Sequence, residues 1–368
     1  MRRNLLLAGV TLILFFGLME IALRLSHLVP TNQLRSPDLE TLDRIPGMFE
    51  PGQQFVDRVL PELAYPVRIN ALGFRGADMA ARKPAGTVRV LCVGDSYTFG
   101  PYVTDEETFP SRLSARLKER AGATAAVEVI NGGVSGFSIE DELIFVRDKA
   151  FAIQPDVIVL SFCQNDVLDM GRGRPMIETM RDHAGLKSTF LLGPALKILQ
   201  HSALFNGMQR GAAMIKVMKM KAAPMTSDMA TPQQWEAYHE GLARFVRAVR
   251  ERGARLLVMV WISADQIAGK ATLIPQTKLA GFSREMGFEL LDLAPAIRSL
   301  ADGGVNPYFT PIDGHPNARG YEAAAEAAAA RLIELGYLDP HAPGAAASPA
   351  APTASTSSAV PPTSGTTR

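Results

Sequence analysis

Three short polar or glycine-rich segments each follow directly on an apolar run: Gly94-Asp95-Ser96, Asn131-Gly132-Gly133-Val134-Ser135-Gly136 and Gln164-Asn165-Asp166. A fourth, Asp313-Gly314-His315-Pro316-Asn317, precedes an alanine-rich stretch. Ser96 stands where a strand turns into a helix, the place of a nucleophile. A serine there needs a base to take its proton and donors to hold a developing oxyanion. Among six histidines only His315 lies in a loop just before a helix. In an extended segment residues i and i+2 share a face, so Asp313 is placed to orient the imidazole. Read alone, Asp-Gly-His-Pro is equally good turn chemistry with a surface histidine. The candidate oxyanion donors are the backbone N–H groups of Ser96 and Gly136 and the side-chain amide of Asn165. Glycine suits a backbone that must approach a substrate closely.

Two rival chemistries fit poorly. The glycine-rich segment meets only half of a dinucleotide-binding fingerprint, because Asn131 stands in place of its first glycine, and no acidic ribose ligand ends the next strand. The Gly-x-Ser-x-Gly elbow is absent, since Ser96 is flanked by Asp95 and Tyr97.

The elements that must carry these residues alternate. Strands are expected at 88–93, 127–130, 156–162, 255–262 and 288–293, from apolar runs ended by polar or glycine punctuation. Helices are expected at 108–121, at 138–152 with Ser138 and Asp141 in capping-box spacing, from Thr231-Pro232 to about Arg252, and at 317–335. Alternation of this kind implies a parallel sheet covered on both faces by right-handed crossovers. Ligands of such sheets bind beyond the carboxyl ends of the strands. The three strand-following segments therefore belong on one rim.

The chain has 368 residues, 47% hydrophobic and 20% charged, with a formal net charge of +1. It is long enough for a large core, and its near-neutral charge argues against nucleic-acid binding. Cys92 and Cys163 cannot by themselves form a structural zinc site, and no cofactor or metal is expected. They are read as two buried thiols, with a disulfide as the alternative. Residues 1–25 carry Arg2 and Arg3 and then an apolar run long enough to cross a bilayer, interrupted by Glu20, which can pair with Arg24. No small-residue cleavage pattern follows, so an uncleaved anchor is favoured over a signal peptide. The two arginines place the N-terminus in the cytoplasm and the remaining chain outside it. Residues 26–86 are read as a spacer that becomes an ordered lead-in near Pro66. The catalytic domain is 87–338, and 339–368 is a disordered Ala/Pro/Ser/Thr-rich tail. Within the domain, 189–230 is a methionine-rich insertion, read as helices on the sheet's flank, with a lid or a membrane contact as alternatives.

The joint order of the four segments resembles the SGNH (GDSL-type) hydrolase family. Residues 94–100 resemble its first block with the nucleophile, 131–136 its second with the oxyanion glycine at Gly136, 164–166 its third with the asparagine, and 313–317 its last with acid and base. The resemblance covers about 88–335. It is greatest to membrane-anchored bacterial members, in which an Asn-x-x-Gly-Phe-Arg lead-in (Asn70 to Arg75 here) precedes the first block. Two departures stand out. Cys163 occupies the family's usual glycine, and Asp313 and His315 are spaced by two where three is usual, which leaves a Ser–His dyad open. The resemblance implies a flavodoxin-like three-layer α/β/α fold with a five-stranded parallel sheet. It also implies an esterase using Ser96, His315 and Asp313, with Ser96, Gly136 and Asn165 as oxyanion hole. The expected activity is extracytoplasmic hydrolysis of short-chain or acetyl O-acyl esters. Carbohydrate enters as substrate class from the expected periplasmic side of the inner membrane. The same residues would serve an O-acyltransferase, and the fold can also carry a non-catalytic glycan-binding or assembly protein. Protein partners are unknown.

Overall fold

The computed structural model describes residues 2–26, 34–57, 61–121, 126–171, 173–190, 192–208, 211 and 229–339. The expected tail beyond 339 and nearly half of the methionine-rich insertion, residues 191, 209–210 and 212–228, lie outside the described residues.

Seven strands run in chain order: β1 Gln54–Asp57, β2 Tyr65–Arg68, β3 Thr87–Gly94, β4 Ala126–Gly133, β5 Val157–Phe162, β6 Arg255–Val260 and β7 Glu289–Asp292. The last five form one sheet in the order β4-β3-β5-β6-β7, every pair parallel. This is the parallel sheet expected from the alternation, in the flavodoxin-like three-layer arrangement that the resemblance implies. Side chains alternate across it, as the twofold period of a strand requires. From β3, Val88, Val90 and Cys92 join one buried cluster with Phe109, Leu113 and Leu117 of the helix Phe109–Ala121. That cluster also holds Tyr321, Ala324, Ala325 and Ala328 of the closing helix Ala318–Glu334. Leu91 and Val93 face the other way, toward Phe145 of the helix Ile139–Asp148 and Leu242 and Phe245 of the helix Pro232–Glu251.

Helix boundaries follow their capping chemistry. Ser138 and Asp141 form the expected capping box, and Thr231 accepts from Gln234 N with Pro232 at the first helical position. Two further helices, Ala264–Ile267 and Ile274–Met286, join β6 to β7, and Ala294–Asp302 follows β7.

Order in the lead-in begins earlier than Pro66. β1 and β2 pair antiparallel, and Leu42, Met48, Phe49, Phe55, Tyr65, Val67, Ile69 and Phe74 are buried in the same cluster as the sheet. Lys149 reaches back to this segment, donating to the carbonyls of Leu42 and, at 2.8 Å, Ile45. The N-terminal helix Arg2–Ser26 contains a span, Leu6–Ser26, of mean hydropathy 2.3 with none of it buried. By length and composition it can cross a membrane.

Candidate active site

Register brings the blocks together. Gly94 at the end of β3 pairs with Gly133 of β4 and with Ser161 of β5, so the loops after three strands share one rim. Gly133 has to be small there, because a Cβ would lie 2.2 Å from the backbone nitrogen of Phe99. The strand after Gly94 turns at once into the short helix Ser96–Phe99. Asp95 caps that turn, its Oδ1 accepting from Tyr97 N at 2.9 Å. Gly136 adopts φ +86°, a left-handed conformation open to glycine.

The histidine loop closes onto this rim from the far end of the chain. His315 Nε2 lies 2.8 Å from Ser96 Oγ. Its Nδ1 contacts Asp313 Oδ1, and the same oxygen accepts the backbone N–H of His315 at 2.9 Å. With Nδ1–H donated to the carboxylate, Nε2 is the acceptor for the serine proton; the tautomer follows from the hydrogen-bond network. Tyr97 hydroxyl donates to Gly314 O at 3.0 Å, tying the nucleophile's helix to the histidine loop. The rings of Tyr97 and Tyr102 lie 5.4 and 5.8 Å from the imidazole. Tyr102 holds φ +66°, and its phenol is pushed up by burial and by the Asp313 carboxylate. Behind the loop, Asn317 caps the closing helix and donates to Asn306 O and Tyr308 O, each at 2.8 Å.

Asn165 opens the helix Asn165–Leu168 after β5, and its Nδ2 donates to Asp95 Oδ2 at 2.9 Å. One N–H of the amide is thereby used and the other is directed elsewhere. Asp95 therefore holds both the turn that carries Ser96 and the carboxamide of Asn165.

With this constellation in hand, a model of the GDSL-like Lipase/Acylhydrolase family matches residues 92–323, well over half of the chain. The chain belongs to that family. It is accordingly an enzyme, a hydrolase of esterase type. No curated protein matches it. Among solved structures it is similar to a catalytic mutant of the acetylxylan esterase Axe2 from Geobacillus stearothermophilus. That likeness has 14% identity and TM-score 0.42, covering 69% of this chain and 97% of that one. It is also similar to TesA (16%, TM-score 0.41, covering 67% and 99%). A third is a two-domain esterase active on acetylated mannans (13%, TM-score 0.43, covering 68% and 50%). The assignment rests on the family match rather than on these distant likenesses.

Cys163, where other GDSL hydrolases usually have glycine, is buried and free, as is Cys92. Its thiol donates to Asp95 Oδ2 at 3.0 Å and contacts Asn165 Oδ1. Among the described residues, Asp95, Cys163 and Asp166 bring ligand-type atoms within 4.8 Å of one another. Burial and the Asp95 and Asp166 carboxylates push the thiol well up, in keeping with its role as a donor to Asp95.

Two carboxyl groups lie buried beneath the site: Glu142, which the sequence reading did not single out, and Asp166, which it read only as part of the third block. Glu142 and Asp166 are each 1% exposed. Burial, then the charges around them, raises both well above the ordinary carboxylate range: Asp95 and Asp141 act on Glu142, Glu142 and Asp95 on Asp166. A signal for Glu142 was present: it lies on the face that carries Ile139, Leu143 and Val146, where a helical carboxylate has no water. Arg75, quoted above only as part of a lead-in motif, is 3% exposed and braces the nucleophile's turn. Its guanidinium donates to Asp105 Oδ1 at 2.8 Å, Phe99 O at 3.0 Å and Val103 O at 2.8 Å, and also to Gly100 O.

Proposed function

We propose that this GDSL-family hydrolase is a serine esterase anchored by its N-terminal helix in the inner membrane. Its catalytic domain lies on the periplasmic side and cleaves short-chain O-acyl esters, acetylated carbohydrate among them. The observation that carries the reading is the 2.8 Å approach of His315 Nε2 to Ser96 Oγ, with Asp313 on the opposite ring nitrogen. Ser96 Oγ attacks the ester carbonyl carbon while its proton passes to His315 Nε2. The carbonyl oxygen becomes an oxyanion held by the N–H groups of Ser96 and Gly136 and by the free amide hydrogen of Asn165. The C–O bond to the alcohol then breaks, and His315 returns the proton to the departing alkoxide, leaving an acyl-serine. Water, deprotonated by the same imidazole, attacks the acyl carbon and restores Ser96 with release of the acid.

The anchor reading is supported by the apolar span Leu6–Ser26, of which no part is buried in the protein. Arg2 and Arg3 ahead of it favour a cytoplasmic N-terminus. The test is hydrolysis of an aryl acetate and acetate release from acetylated oligosaccharides by the detergent-solubilised protein. Ser96→Ala is expected to abolish both, with kcat falling on the order of 10⁶-fold. Asn165→Ala is expected to lose about 2.7–4 kcal/mol of transition-state stabilisation, the usual effect of removing one oxyanion donor. Undiminished turnover in Ser96→Ala would refute the nucleophile. Aryl ester cleavage without acetate release from sugars would refute carbohydrate as substrate and leave the esterase intact.

A further inference from the structure

The end of the N-terminal helix does not hang free of the catalytic domain. Glu20 accepts from Ser202 Oγ at 2.8 Å, Ala203 N at 2.8 Å and Leu204 N at 2.9 Å. Arg24 pairs with Glu20 at 2.7 Å and donates to His201 O at 2.5 Å. One carboxylate therefore caps the helical turn that starts at residue 203, and one guanidinium satisfies the carbonyl just before it. The joint is built in: Ala203 is fully buried and Asn206, 4% exposed, donates back to Gln200 O at 3.1 Å.

Immediately before this joint runs the helix Leu192–Leu199. Its apolar side chains point outward: Leu192 is 54% exposed, Ile198 73% and Leu199 42%. Phe190 ahead of it is 92% exposed and Met208 beyond it 68%. Large apolar groups gathered at one place in water mark a surface with a partner. The joint says which partner. Residues 20–24 form the outer end of a membrane-crossing span, so whatever is bonded to them sits at the membrane–water boundary. A three-residue connection, 200–202, leaves the helix Leu192–Leu199 no room to stand away from it.

We infer that the helix Leu192–Leu199, with Phe190 and Met208 beside it, lies in the outer leaflet's interfacial region, making the lipid bilayer a second, monotopic contact of the catalytic domain. This rests on the anchor reading above. The attachment is apolar in origin. Among the described residues, the cleft that Phe190 borders carries Asp38, Glu40 and Asp43 against Lys187 alone, so anionic lipid is not what draws it down. Burial of exposed leucine, isoleucine and phenylalanine in the headgroup–acyl boundary is the driving term.

The full chain, reconstituted in zwitterionic phosphatidylcholine vesicles, tests this with single cysteines carrying an environment-sensitive fluorophore. Cys92 and Cys163 are buried and stay unlabelled in the native protein. Phe190→Cys and Ile198→Cys report on the inferred surface, and Phe15→Cys on the span. Glu119→Cys, 66% exposed on the opposite layer, reports on bulk water. Labels at 190 and 198 are expected to shift to the blue and to lose emission to lipids spin-labelled high in the acyl chain. The label at 15 should respond to lipids labelled deep in the chain, and that at 119 to neither. Labels at 190 and 198 that behave like 119 while 15 is quenched would overturn the inference and leave the anchor standing. A blue shift at 198 without lipid quenching would place protein there instead of lipid, and overturn it equally. No quenching at 15 would remove the anchor and the inference together.

Discussion

The short Asp313–His315 spacing leaves the role of the acid to geometry. One carboxylate oxygen, Asp313 Oδ1, serves both the backbone N–H and the ring Nδ1 of His315. The backbone bond fixes the carboxylate beside the ring, so two residues of separation suffice where a longer loop would use three. The arrangement favours a triad over a dyad: the carboxylate selects the tautomer with a bare Nε2 and stabilises the imidazolium that forms. Asp313→Asn keeps the shape and lets the amide offer a donor to Nδ1, which selects the wrong tautomer. Turnover is expected to fall about 10⁴-fold with the substrate KM little changed. A loss below tenfold in steady-state kinetics would return the site to a Ser–His dyad.

At the scale of elements, the nucleophile's turn is held at both ends, by Asp95 at its start and by Arg75 at its finish. Arg75 arrives from the lead-in, directly after β2, and satisfies three carbonyls of the chain between Phe99 and Val103 besides pairing with Asp105. The guanidinium also stacks over the rings of Tyr65 and Phe99, 5.3 and 4.9 Å from their centres. Removing it takes the counter-charge from a partly buried carboxylate and the donor from several buried carbonyls, a loss of about 3–5 kcal/mol. Arg75→Ala should show this in urea denaturation, and Arg75→Lys should recover only part, because an ammonium cannot reproduce the fork. An unshifted midpoint in Arg75→Ala would deny the brace. The same elements show what was readable in advance. The five sheet strands and the helices Phe109–Ala121, Ile139–Asp148, Pro232–Glu251 and Ala318–Glu334 were legible because continuous apolar runs and strong caps leave few alternatives, whereas Ile274–Met286 between β6 and β7 was not singled out. β1 and β2 were not: four residues each, set among prolines and polar groups, they owe their order to Phe55, Tyr65 and Val67 packing on the sheet domain, a tertiary effect that no local pattern carries. Ser96 and His315 were legible because their blocks punctuate elements. The burial of Glu142 and Asp166 was not, since a carboxylate on a helix ordinarily means a solvated face.

For the molecule as a whole, those two buried acids set how stability depends on pH. Three carboxyl groups, Asp95, Glu142 and Asp166, are enclosed beneath the catalytic rim, each about 1% exposed, and Asp95 accepts from Tyr97, Asn165 and Cys163. Among the described residues, one Oε of Glu142 and one Oδ of Asp166 find no hydrogen-bond partner, so their ionised forms are poorly served. Desolvation first, then mutual repulsion, raises both acids. Raised in the folded state, they bind protons more tightly than in the unfolded chain, where glutamate titrates near about 4.3. Their contribution to stability is thus full below that value and is lost as pH rises toward the folded pKa, each unit of the interval costing about 1.4 kcal/mol. Lys149, lowered to about 8 by burial, acts with the opposite sign, adding stability between that value and the ordinary lysine range. The acids are therefore isolated by working below pH 8. Glu142→Gln removes one titration and relieves Asp166 of its first-ranked charge neighbour. Thermal midpoints of the native protein and of Glu142→Gln, measured from about pH 4 to 7.5, are expected to diverge in the variant's favour as pH rises. A constant cost of the amide, for want of a partner, shifts the whole profile and has no slope. Two parallel profiles would mean that Glu142 titrates alike in both states, and the buried proton beneath the active site would have to be given up.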